Sequence, residues 1–179
     1  MKRMVLSLTA VGLLLSGLGG RAEATGKKKS ITWDVAIDCR TFRFNNGTSF
    51  AEFGRGDGFI ANGKMFRART LQSGAQANDP NEPGSIGDWV ERATMAATFA
   101  EIDAGTRPAF FATWYHQLAD GSSLVADGPH PDSGPMAVTG GIGRFRGASG
   151  ELSAEILGTN TTGCPNLRLT VRLEKDEEK

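Results

Sequence analysis

Residues 109–118 read AFFATWYHQL, the stretch richest in side chains able to bind or polarise a substrate. On a strand, alternation sets Phe110, Ala112, Trp114, His116 and Leu118 on one face and Phe111, Thr113, Tyr115 and Gln117 on the other. An imidazole beside an indole can hold or protonate an apolar, oxygenated molecule. The same residues can pack a core or an interface, and the pattern does not say which face looks inward. The candidate cavity residues are Phe59, Phe110, Trp114 and Tyr115, and the candidate catalytic groups are His116 and Asp57. Asp57 opens the apolar run DGFIA, where a carboxylate would stand at a barrel mouth or would cap a turn. His130 sits near Asp132 in DGPHPD, an arrangement that invites acid–base chemistry but carries the prolines of a solvated loop.

Other chemistries find little support. No serine or cysteine stands in a nucleophile context, and no carboxylates have metal-ligand spacing. The two histidines lie far in sequence from either cysteine, so neither a metal nor another cofactor is expected. The formal net charge is zero, which gives no electrostatic reason to expect nucleic acid. The segment MAVTGGIGRFRGASGEL at 136–152 offers G-x-G-x-x-x-G, yet Gly150 interrupts the place where a phosphate-binding helix would run, and no Gly-Lys-Ser or Gly-Lys-Thr follows. Its glycines fit a tight connection between two strands, with Phe145 turned inward as a plug.

The elements that must carry these residues are strands. ITWDVAIDC and NLRLTVRLE alternate apolar and polar residues, the sign of one buried face. GDGFIANGKMFRA reads as two short strands around an Asn62-Gly63 hairpin turn. The stretch 71–85 is a Gly-, Pro-, Asn- and Asp-rich loop. GDWVERATMAATFAEI, SSLVADG, MAVTGG and GELSAEILG supply further strands; ERATMAATFAEI also has helical propensity, but its neighbours favour strand. Many short strands with almost no helix point to a sandwich or closed barrel.

The N-terminus has a basic start, a short apolar run and an A-x-A site at 22–24, the pattern of a cleaved signal peptide. The expected organisation is a signal at 1–24, one β domain at 25–174 and a charged, disordered tail at 175–179. No later run is apolar enough to cross a bilayer, so a secreted or periplasmic protein without membrane attachment is expected. Export would oxidise Cys39 and Cys164, and the pair is expected to form a disulfide, stabilising by about 4–5 kcal/mol in the chain-entropy model. Asn46 and Asn160 begin N-glycosylation patterns, which are read as unused because the leader resembles bacterial ones.

MAVTGGIGRFRGASGEL resembles the late hairpin of the dirigent and allene oxide cyclase barrels, and GRGDGFIANGKMF and ADGPHPDSGPMAVTGG resemble other parts of the same group. The resemblance covers most of 54–157 and implies a single antiparallel, calycin-type barrel of about eight strands with an apolar cavity, commonly assembled as dimers or trimers. TWDVAIDCRTF lacks the glutamate expected of a cyclase, and RARTLQSG lacks the aspartates of the plant dirigent motif. The expected function is therefore binding of a small apolar or phenolic molecule, with stereochemical guidance of its reaction. The alternatives are a cyclase or isomerase of the allene oxide cyclase type, with Trp114 steadying positive charge, and a structural barrel without ligand. Intrinsic redox activity is not expected.

Overall fold

The structure, a computed structural model, describes residues 29–45, 54–73, 79–130 and 133–174. The proposed signal and the C-terminal tail lie outside the described residues, as do Asn46 and Asp132. Eight strands run in chain order: β1 Lys29–Phe44, β2 Gly58–Arg67, β3 Gly87–Met95, β4 Phe110–Leu118, β5 Ser123–Pro129, β6 Met136–Ile142, β7 Gly150–Thr159 and β8 Pro165–Leu173. Each pairs antiparallel with its sequence neighbours, and β8 closes on β1 from Lys29↔Leu173 to Ala36↔Asn166. The result is a closed all-β barrel, which removes exposed sheet edges.

Inward positions follow the period of two. Trp33, Val35 and Ile37 from β1 meet Leu167, Leu169 and Val171 from β8 in one main core, with Trp89, Trp114 and Leu124 from the opposite wall. A smaller cluster of Ala36, Phe66, Leu71 and Leu157 lies outside the barrel, where the 68–73 segment folds over β1 and β2. Beneath that segment Asp34 is fully buried and accepts from Arg168 Nε at 2.9 Å, Arg168 Nη2 at 3.3 Å and the Leu71 N–H at 3.0 Å.

Cys39 and Cys164 are joined, tying β1 to the chain just before β8 across 125 positions. Beside the bridge the buried Asn160 amide donates to Ile37 O at 2.8 Å and to Asn166 Oδ1 at 3.0 Å.

Two local expectations change. Asn62-Gly63 is not a turn: β2 runs straight through it, paired with Asp38 and Ile37 of β1. Gly63 serves close packing instead, since a Cβ there would lie 2.6 Å from Ala36 O. The run ERATMAATFAEI is strand only to Met95; Phe99–Asp103 forms a short helix, α1. Its signal was local, a capping box in which Thr98 accepts from Glu101 N and Glu101 accepts from Thr98 N.

The glycine segment is architectural. Gly143–Phe145 makes one 3-10 turn between β6 and β7, Gly143 takes φ 61°, and Phe145 is buried in the main core. Arg144 N donates to Ser122 Oγ at 3.3 Å, which fastens this turn to the β4–β5 connection and closes that end of the barrel.

Candidate functional site

The register of β3 on β4 arranges the interior in levels. Met95 pairs with Phe110, Ala93 with Ala112, Glu91 with Trp114 and Trp89 with His116. Successive levels on one strand lie roughly 7 Å apart.

The uppermost level is an aromatic rim. Phe42 stacks on Phe59 with centroids 5.3 Å apart, Phe59 meets Phe110 edge-on at 5.6 Å, and Phe110 lies 4.2 Å from His130. Ile102 of α1 packs against the main core. Arg55 fixes α1 there by binding Glu101 at 2.6 Å and Ala96 O at 3.0 Å. Below the rim the wall narrows to small residues, Ala93, Ala112 and Gly128, which face one another in register. These contribute no more than a methyl group each.

Polar chemistry begins at the next level. Glu91 is 4% exposed, and its Oε1 accepts from Trp114 Nε1 at 3.0 Å. Burial pushes its pKa up to about 7, against the opposing pull of the Trp114 hydrogen bond. His116, one level deeper, is fully buried, and burial lowers its pKa to about 4 despite its bond to Leu124. Its Nδ1 lies 3.3 Å from Leu124 O, an acceptor, so Nδ1 carries the proton and Nε2 presents a lone pair. The ring sits 5.2 Å from Trp33 and 6.4 Å from Trp114.

Among the described residues, three ring nitrogens here have no hydrogen-bond partner: Trp33 Nε1, Trp89 Nε1 and His116 Nε2. Buried polar groups are nearly always bonded, and each unmet donor or acceptor costs about 1–3 kcal/mol. Together with Glu91 they give one interior both donors and an acceptor, walled by all three tryptophans of the chain. Such a set can grip a hydroxyl, which donates to His116 Nε2 while accepting from an indole N–H.

The expected site residues are thus only partly gathered. Phe59, Phe110, Trp114 and His116 share the interior. Tyr115 does not: it points outward, 38% exposed, because the inner face of β4 is the one carrying Trp114. Asp57 stays at the rim as a turn cap, its Oδ2 accepting from Gly54 N at 2.8 Å, and is not brought to His116. His130, expected in a solvated loop, is half-buried with its ring 6.0 Å from Trp114, because its N–H donates to Phe110 O. Glu91 was missed, although GDWVERATM carries the signal: alternation puts it in the apolar register of Trp89, Ala93 and Met95.

The fold is therefore a closed, eight-stranded antiparallel barrel with a rim at one end and a plug at the other. More particularly, it is the dirigent-like barrel. The chain is similar to two pterocarpan synthase dirigent proteins, at TM-scores of 0.58 and 0.56 with 16% and 14% identity, covering 82% of this chain in each case and 94% and 89% of theirs. It is also similar to a pyocyanin demethylase, at a TM-score of 0.54 and 17% identity, covering 82% of this chain and 100% of that one. No family model and no curated protein matches the sequence.

Proposed function

We propose that this protein is an exported barrel that binds a small, flat, hydroxylated aromatic molecule beneath the Phe42–Phe59–Phe110 rim and controls how it reacts. The observation that carries the reading is the set of unpartnered ring nitrogens in the same barrel interior as the buried Glu91, walled by tryptophans. A phenolic hydroxyl satisfies them and the rings supply the apolar contact. Shape then limits which conformers react. The fold neighbours are compatible: two are dirigent proteins named for pterocarpan synthesis, and one is named a pyocyanin demethylase. Export is supported by the leader pattern and the Cys39–Cys164 bridge.

Glu91 favours a second reading, an isomerase or cyclase. A carboxyl whose pKa lies near 7 in a site shielded from water can give and take a proton at neutral pH. In that case Glu91 replaces Asp57 as the proton-transfer group.

The three indole N–H signals in a nitrogen–proton correlation spectrum test the site directly. Titration with 2-naphthol is expected to move the Trp33 and Trp89 signals, and 2-methylnaphthalene is expected to bind at least about tenfold more weakly. Signals unmoved by either compound would dismiss the interior as a binding site. Equal binding of both would leave the pocket but remove its polar grip.

A further inference from the structure

On the outer wall, strand register sets a row of side chains across five strands. Arg43 of β1 pairs with Ile60 of β2, Ile60 with Arg92 of β3, Arg92 with Thr113 of β4, and Thr113 with Asp127 of β5. At the next outward-facing level Gly58 pairs with Thr94 and Thr94 with Phe111, and Asn45 Oδ1 accepts from Gly58 N at 3.0 Å. The two rows line a groove of about 630 Å³. Gly58 keeps its floor low, since a Cβ there would lie 3.3 Å from Asn45 Nδ2.

The groove has two chemically different ends. Across β1–β3, Arg43 and Arg92 stand two strand spacings apart, roughly 10 Å at the backbone, within reach of one shared anion. Neither makes an ion pair among the described residues, unlike Arg40, Arg55 and Arg144, which have Asp38, Glu101 and Asp120. Arg43 Nη1 donates to carbonyls of its own strand, Arg40 O at 3.2 Å and Phe42 O at 2.8 Å, which leaves its charge uncompensated. Across β4–β5, Thr113 Oγ1 donates to Asp127 Oδ1 at 3.0 Å. Asp127 therefore offers its other oxygen, and Thr113 its lone pairs, to incoming hydroxyl donors. Between these ends Phe111 is 54% exposed and presents an apolar ring to solvent.

A ligand that matches this order carries an anion, neighbouring hydroxyls and a weakly apolar face. We infer that the groove binds an acidic oligosaccharide. One uronate carboxylate lies between Arg43 and Arg92, where guanidinium forks match its geometry. The adjoining sugar lays its C–H face on Phe111 and donates hydroxyls to Asp127 and Thr113. An acidic sugar combines these features in one small unit, because the pyranose ring has C–H bonds on its face, hydroxyls on its rim and a carboxylate at one corner. An acidic peptide matches less well. The closed barrel offers it no strand edge to pair with, and its further carboxylates would meet Asp127. This outer groove is separate from the interior site, so the two readings stand or fall independently.

A hyaluronan tetrasaccharide, which alternates glucuronate with N-acetylglucosamine, is the probe, titrated into the full chain at low salt and followed by backbone amide signals. Saturable shifts are expected at Thr94, Thr113 and Asp127, while the tryptophan indole signals stay in place. Chitotetraose, of equal length but without carboxylates, is expected to bind at least about tenfold more weakly. Arg43→Gln and Arg92→Gln are each expected to weaken the acidic sugar about fivefold or more, and Phe111→Ala about threefold. Arg172→Gln removes the same charge from β8 and is expected to change nothing. Circular dichroism identifies any variant that fails to fold, and the wild-type shifts with the chitotetraose comparison then decide. Absence of shifts at the groove would overturn the inference. So would chitotetraose or tetraglutamate binding as tightly as the acidic sugar, or arginine variants that bind like the wild type. Displacement of the sugar by equimolar sulfate would reduce the groove to a simple anion site and overturn it equally.

Discussion

Asp34 and Glu91 are both carboxylates buried on barrel strands, yet they sit in opposite chemical circumstances. Asp34 faces outward from β1, under the 68–73 segment, and is met by a guanidinium and a backbone N–H. Glu91 faces inward from β3, where a neutral indole donates to it and no cation among the described residues pairs with it. The first arrangement satisfies its charge and holds a loop to the wall. The second keeps its proton near neutrality, beside ring nitrogens that lack partners. Burial by itself therefore does not mark a site; burial without a matching charge does.

The sharpest way to break this contrast is to remove each carboxylate in turn. Asp34→Ala strands the Arg168 guanidinium and the Leu71 N–H, and is expected to cost about 3 kcal/mol or more in urea unfolding. Glu91→Gln at pH 8 removes a buried charge with no cationic partner, and is expected to leave stability unchanged or raised. If Asp34→Ala costs less than about 1 kcal/mol, the outer pair is not the clamp described here. If Glu91→Gln proves equally damaging, its carboxylate has a partner of its own.

The pH dependence of stability separates the two interior groups. Glu91 is raised in the folded state from 4.5 to about 7, so the folded protein holds the extra proton and stability falls as pH rises through that window. His116 is lowered from 6.5 to about 4, so the unfolded chain holds the extra proton and stability falls as pH drops from 6.5 towards 4. Each effect amounts to about 2 kcal/mol between about pH 5 and pH 7, with opposite sign. The wild-type protein is therefore expected to show a nearly flat profile there. Glu91→Gln is expected to uncover a rise with pH and His116→Phe a fall. Two flat variant profiles would mean that neither group is desolvated as the interior geometry requires.

What the sequence made legible divides along the same line. Alternation exposed the strands, because burial of one face writes a period of two into the chain, and the glycines of the β6–β7 connection exposed the plug Phe145. Trp114 and His116 could be placed together, but not inward, since β4 carries aromatic residues on both faces and Tyr115 sits on the outer one. Asn62-Gly63 misled because a dipeptide suited to a turn is also suited to close strand packing, and only the neighbour Ala36 decides between them. Glu91 stayed hidden because an isolated acid in a strand is ordinarily solvent-facing. Its place in the register of Trp89 and Met95 is the contrary signal.

The smallest expected effect bears on why Glu91 is not still harder to ionise. The Trp114 N–H is the one interaction that offsets burial in setting its pKa. Trp114→Phe keeps a ring in the wall and removes that donor, so the Glu91 midpoint is expected to rise above 7 by less than about one unit. Carboxyl carbon shifts followed against pH measure this directly. A Glu91 midpoint that falls on losing the indole would mean that water or another donor takes the position, and that the interior is wetter than a site built on desolvation allows. An unchanged midpoint would make Trp114 a wall residue alone and leave His116 and the indoles of Trp33 and Trp89 as the groups that must hold the ligand's hydroxyl.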